Sequence, residues 1–355
     1  MISPFKKISI LAFILLIISN LSFANNNPKD PFKPGEMIMH HIGDSHEWEF
    51  AHGIAIPLPV ILYSEKGIDM FSSSKFHNEK EEYNGYKLDP VTHEIIWADS
   101  NDKTKIYDIS ITKNVASLFL SATLLILVFT SVARGYKKNH GKAPRGIQSF
   151  FEPIVVYVRD DVAKKVIGPK YERFLPYLLT VFFFIWFNNL LGLIPGGANL
   201  TGNIAVTAVL ALLTFIITLA SSNGTYWKHI LWTPGVPLIL RVIILPIEIV
   251  GMFTKPFSLM IRLFANITAG HIIILSLFAL IFIFESYTVG VVSTAFAVFM
   301  SLLELFVALL QAYVFTLLSA MYFASAVEEH HEDAHGHEEH PEFHDVETPG
   351  AKVVV

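Results

Sequence analysis

At 355 residues the chain is 52% hydrophobic and only 16% charged, with a mean hydropathy of +0.49, a balance that excludes an ordinary soluble domain and points to several membrane spans. The net charge of -5 lies mostly in the tails, and the lack of cysteine excludes a disulfide framework, a thiolate metal site and a cysteine nucleophile.

Residues 1–24 read as a secretory signal peptide: Lys6 and Lys7, an apolar core over residues 8–21, then Ser22-Phe23-Ala24 as a small-x-small cleavage site. An uncleaved first span is the alternative. The polar Asn25-Asn26-Asn27 favours cleavage, which would leave the mature N-terminus outside.

Residues 25–111 turn polar and mixed. Apolar runs at 54–63 and 94–97, separated by Glu65-Lys66-Gly67 and Asn84-Gly85, predict a small β-rich exported segment. His40, His41, His46 and His52 stand near Asp44, Glu47 and Glu49. Their spacing matches no defined metal site, so they are expected to be solvated surface histidines.

The membrane domain is expected over residues 112–326. A first span at 115–132 is followed by Arg134, Lys137, Lys138, Lys142 and Arg145, so the chain passes from outside to inside. Residues 146–173 mix apolar positions with Arg159, Asp160, Asp161, Lys164, Lys165 and Lys170 and read as an amphipathic helix on the inner surface. Spans at 175–194 and 204–220 follow, joined by a loop without lysine or arginine; Lys228, His229 and Arg241, with Trp227 and Trp232, mark the inner interface.

Residues 243–284 and 289–326 form two runs too long to stand upright. A helix of about 42 residues is about 63 Å long, twice a hydrocarbon core of about 30 Å. It either kinks, at Pro246 or Pro256, or tilts strongly. The fold class is thus an all-α integral membrane protein of about five membrane helices after signal cleavage, the last two a long tilted hairpin, with a small β-rich exported segment before them.

The hairpin carries the chemistry. Arginine at the centre of a membrane helix costs about 2.5–3.5 kcal/mol, which makes Arg262 a functional candidate by itself. Pairing the arms about Tyr287 sets Arg262, 25 positions before it, against Gln311, 24 after, and His271, 16 before, against Glu304, 17 after. Two polar rungs are expected, arginine with glutamine and histidine with glutamate. Ser258, Arg262, Ala265, Asn266 and Ala269 form one helical stripe, and Glu304, Ala308, Gln311 and Ser319 another. Small residues allow close packing, either within the chain or, beside an unpaired arginine, against a separate partner bringing the missing negative charge. Glu248, fourteen positions before Arg262, is either an inner-path carboxylate or an interfacial one.

Lys255-Pro256, the run from Arg262 to His271 (Arg-Leu-Phe-Ala-Asn-Ile-Thr-Ala-Gly-His) and Leu310-Gln311-Ala312-Tyr313-Val314-Phe315 resemble subunit a of the rotary F-type ATP synthase, as do residues 187–195 and 203–207 of the middle spans. The resemblance covers roughly 112–326. It implies a proton-conducting stator without covalent chemistry of its own, beside a c-ring of rotor subunits and b-type peripheral stalk subunits, among the remaining subunits and lipid of a bacterial inner membrane. It further implies two offset half-channels, Arg262 between them with Asn266 and Gln311 nearby, and an outer path ending at His271 and Glu304; Glu248, by its position, and Ser258, on the arginine stripe, are further proton-path candidates. No cofactor, metal or nucleic-acid partner is expected. The rival class is a proton-coupled secondary transporter pairing Arg262 with an anionic substrate, although the two arms share no repeat. The acidic, histidine-rich tail, 327–355, reads as solvated and cytoplasmic rather than as a metal site.

Overall fold

A computed structural model describes residues 33–328, apart from short stretches at 52–53, 66, 77–81, 90–93, 100–103, 139–140, 195 and 233–236. The signal peptide, His52, the side chain of His40 and the histidine-rich tail beyond Glu328 lie outside the described residues.

The N-terminal segment opens with helix α1 (Pro34–Ile42), whose proline occupies the first turn, where no amide is needed. Strands β1 (Glu47–Ala51) and β2 (Ile54–Pro57) form an antiparallel pair. Strands β3 (Pro59–Ser64) and β4 (Gly67–Ser72), β5 (Glu82–Tyr83), β6 (Tyr86–Leu88) and β7 (Ile95–Trp97), and β8 (Tyr107–Asp108) make two antiparallel three-stranded sheets, ordered β4-β3-β8 and β5-β6-β7. Asn84 and Gly85, at φ of 53° and 80°, supply the two left-handed residues of the tight β5–β6 turn. Val60 and Leu62 alternate inward from β3 and meet Phe76, Tyr86, Ile95 and Trp97 in one small core.

His46 departs from the expectation of a solvated histidine. It is only 7% exposed, and its Nε2 lies 2.8 Å from Asp108 Oδ2, joining the approach to β1 to β8. Burial pushes the Asp108 carboxyl up, but hydrogen bonds from His46 and Ser110 outweigh that and hold it below its ordinary value. The spacing of histidines along the chain gives no hint of this, because the partner lies 62 residues away.

The membrane part comprises α2 (Lys113–Lys138), α3 (Ile147–Tyr157), α4 (Tyr171–Gly192), α5 (Ile204–Ala220), α6 (Gly224–Leu231), α7 (Leu238–Phe284) and α8 (Tyr287–Val327). Among the described residues, four helical runs are long and apolar enough to cross a membrane, or five if α5 and α6, bent by 103° at their junction, count as one span. Helix α7 has 47 residues and is continuous through Pro246 and Pro256. At about 70 Å it must incline to fit a bilayer. Only Glu285, left-handed at φ 45°, and Ser286 separate it from the 41 residues of α8.

Between α3 and α4 the chain passes through a π-helical stretch (Val158–Lys164) and a short turn at Gly168, whose φ of 76° suits glycine. Val162, Ala163 and Ile167 from this stretch bury against Phe174 and Leu178 of α4 and Ala320, Phe323 and Val327 of α8. Much of its apolar side is therefore covered by the chain itself, while the Arg159–Asp160 and Lys165–Asp161 ion pairs stay exposed.

Lipid is as apolar as leucine, so contact between these helices rests on close packing rather than on escape from water. Helix α8 meets this demand with small side chains: Ala297, Ala308, Ala312, Thr316, Ser319 and Ala320 are buried along one face. Phe315 joins Leu259 and Leu263 of α7 and Phe182, Phe183 and Ile185 of α4 in the main core.

Candidate functional site

The hairpin sorts its polar residues by face. On α7, Leu259, Leu263 and Ile267 point into the chain and are buried, while Arg262, Ala265, Asn266 and Ala269 are exposed and Ser258 is half-buried. The small stripe of α7 is thus uncovered. Its counterpart on α8 behaves in the opposite way, with Glu304, Ala308, Gln311 and Ser319 all buried. Ordinary packing within the chain accounts for the second stripe and leaves the first unexplained.

Of the two expected rungs, one forms and one does not. His271 Nδ1 lies 2.5 Å from Glu304 Oε1, the two side chains being 11% and 4% exposed. Gln311 does not meet Arg262. Its Oε1 accepts instead from Asn266 Nδ2 at 2.8 Å, one turn along α7. The register therefore slides by less than one helical turn from that counted about Tyr287. Arg262 has no hydrogen-bond or ion-pair partner among the described residues, and Tyr322 on α8 lies within its electrostatic reach.

The histidine is held from both sides. Its Nε2 lies 3.2 Å from the carbonyl of Gly192, the last residue of α4, one of the carbonyls that a helix end leaves without an internal partner. A carbonyl can only accept, so Nε2 carries the hydrogen and Nδ1 faces Glu304. The pair can then hold one proton between Nδ1 and Oε1, or take up a second, which suits it to pass protons singly.

Residues without an assigned role in the sequence complete the setting. Gly270 lets the glutamate approach: a Cβ there would stand 2.8 Å from Glu304 Oε1. Asn189 donates to the Ala308 carbonyl at 3.1 Å and accepts from Thr201 at 2.6 Å, tying α4 to α8 beside the pair. Asparagines at 188 and 189 within an apolar span were the available signal. Gly270 gave none, since its need arises from a side chain on another helix.

On the far side of Arg262 from the hairpin turn, Thr214, Thr218, Tyr226, Lys255, Leu259 and Tyr322 line a cavity of about 10 Å³, about the space of one water. Glu248 is half-buried on α7, within electrostatic reach of Tyr226 on α6.

Fold and site together define a multi-pass membrane protein whose last two helices gather its intramembrane acid, base and arginine on one hairpin. Residues 115–324 match the family model for the ATP synthase A chain, and residues 37–117 match a domain of unknown function (DUF8433). The chain is 49% identical to "ATP synthase subunit a" of Chloroherpeton thalassium over 65% of its own length and 71% of that relative. It is 46% identical to "ATP synthase subunit a 2" of Chlorobaculum tepidum over 86% and 76%, and 39% identical to "ATP synthase subunit a" of an Anaeromyxobacter species over 85% and 73%. The chain belongs to the ATP synthase A chain family, a membrane-sector component of the proton-transporting ATP synthase.

Proposed function

We propose that the chain is the proton-conducting stator of an F-type ATP synthase in a bacterial inner membrane, working against a c-ring and held by b-type peripheral stalk subunits. The observation that carries this reading is Arg262: a guanidinium with no hydrogen-bond or ion-pair partner among the described residues, on an uncovered face of small residues, in a helix built for lipid. Such a charge is costly unless it is paired, which favours an acid supplied by another chain. At about 4 Å and an effective dielectric of about 20, attraction to that acid is worth about 4 kcal/mol, or about three pKa units. An incoming protonated carboxyl would release its proton, while the arginine, which stays charged, relays none.

The placement of the other groups supports a reading with two offset half-channels. His271 and Glu304, nine residues or about 13 Å from Arg262 toward the hairpin turn, end the outer path. The cavity beside Thr218, Tyr226 and Tyr322, with Glu248 and Ser258, serves the inner path. Gln311 keeps Asn266 in place beside Arg262 through their hydrogen bond. Replacing Arg262→Ala is expected to abolish proton-driven ATP synthesis in membrane vesicles while passive proton leak stays or rises. Unchanged coupled synthesis would overturn the reading.

A further inference from the structure

Residues 34–111 are covalently tied to the membrane part only through Thr112, yet they are fastened to it at several further points. The Lys113 amide donates to Ser45 O at 2.8 Å, and its buried ammonium donates to the carbonyls of His41 and Gly43 at 3.3 and 2.9 Å. Asp44 Oδ1 accepts from the Asn114 amide at 3.1 Å, so an exported carboxylate caps the first turn of α2. Helix α1 packs on α7. Trp48, on β1, donates its indole N–H to the carbonyl of Gly196 at 2.8 Å, across 148 residues of sequence.

That last contact reaches the turn which also holds the outer histidine. From Gly192 onward the chain folds back on itself: Leu193 N donates to Asn189 O at 3.2 Å, Ile194 N to Leu191 O at 3.3 Å, and Gly197 N to Ile194 O at 2.7 Å. Gly192 lies within the stretch closed by the Leu193–Asn189 and Ile194–Leu191 bonds, and Gly196 within that closed by Gly197–Ile194, so the two carbonyls sit on adjoining bonded turns that meet at Ile194. One carbonyl of the turn accepts from Trp48, the other from His271 Nε2, and His271 Nδ1 faces Glu304. The exported segment grips the membrane part around this turn, the start of α2 and α7.

We propose that the exported segment, residues 34–111, is a positioning cap for the outer proton path, with Trp48 holding the 192–197 turn and the turn holding the imidazole of His271 toward Glu304. Trp48 touches neither the pair nor the ion; it is a positioning residue. Freed from Trp48, the turn can move, Gly192 O no longer fixes which ring nitrogen carries the hydrogen, and Nδ1 spends less time on Glu304. The inference rests on the reading of His271 and Glu304 as the outer path.

The test uses the assembled synthase in sealed vesicles, with proton flux normalised to the amount of complex. Trp48→Phe keeps an aromatic ring and removes the donor. It is expected to slow flux about tenfold, the lower end of what loss of an orienting partner costs a working histidine, and to shift the pH profile of flux. Unequal assembly alone would not move that profile. Added to His271→Ala, Trp48→Phe should cause no further slowing, because the group it positions is gone. Lys113→Met, which frees the cap at its other anchor, should act in the same direction and carries the same measurements if Trp48→Phe does not assemble. If His271→Ala slows flux but the cap variants leave rate and pH profile unchanged, or multiply with His271→Ala, the cap is overturned and the outer path stands. If His271→Ala itself leaves flux unchanged, both are overturned.

Discussion

Gly270 shows how narrow the tolerance is around the acid–base pair. A methyl group there would stand 2.8 Å from Glu304 Oε1 and 3.0 Å from its Cδ, inside van der Waals contact. The carboxylate would have to withdraw from α7 and leave His271 Nδ1. A displacement of about 1 Å in a working site can cost about a hundredfold in rate. Gly270→Ala is therefore expected to slow proton flux in vesicles by about ten- to a hundredfold. Shortening the acid makes room, so Gly270→Ala with Glu304→Asp should be faster than Gly270→Ala alone. A Gly270→Ala complex with normal flux would show that Glu304 does not need its observed position.

At the scale of elements, the two arms of the hairpin divide their labour. Helix α8 is the inner arm, fixed to α4 through a buried small-residue face and through the Asn189 bond to Ala308 O. Helix α7 turns Leu259, Leu263 and Ile267 inward and presents Ala265, Asn266 and Ala269 outward around Arg262. A moving partner could slide on such a face, since alanine offers little to catch on, whereas the α8 face is closed. The chain has no cysteine, so single cysteines report cleanly. A cysteine at Ala269 is expected to cross-link to the membrane rotor, and one at Ala308 to give no such product. Cross-linking from Ala308 rather than Ala269 would mean that the working face has been misassigned. Enlarging Ala308 should instead loosen the chain itself, because overpacking a close helix contact costs about 1–3 kcal/mol.

For the whole molecule, the distribution of charge sets the direction of insertion. The hairpin turn, Gly192 and Gly196, and the N-terminal segment share one end, and Lys137, Lys138, Lys142, Lys228 and Arg241 are carried toward the other. The positive-inside rule predicts that the N-terminal segment faces outward. A single cysteine at Ser74, an exposed position of that segment, is expected to react with an impermeant thiol reagent in cells whose outer membrane has been opened. One at Lys142 should react only once the inner membrane is breached. The reverse pattern would invert the proposed outer and inner paths together.

The β-rich N-terminal segment ahead of a helical membrane part, the overlong final helices and the candidacy of Arg262 were legible in the sequence, because each depends on local composition, length or spacing along one element. So was the meeting of His271 with Glu304, since antiparallel arms joined by a tight turn leave few registers. The exchange of partners at the next rung was not legible. Whether Gln311 reaches Arg262 or Asn266 depends on how far each helix is rotated, and on the left-handed Glu285 at the turn, which counting residues does not supply. Nor could spacing show that His46 is buried against Asp108, that Gly192 holds His271, or that Trp48 reaches Gly196, for those contacts join atoms 62 to 148 residues apart. Hydrophobic periodicity determines which groups enter the membrane and on which face of a helix they lie. Only tertiary packing decides which of them are covered, and it leaves Arg262 and its small stripe uncovered while closing around Leu259, Leu263 and Ile267 of the same helix.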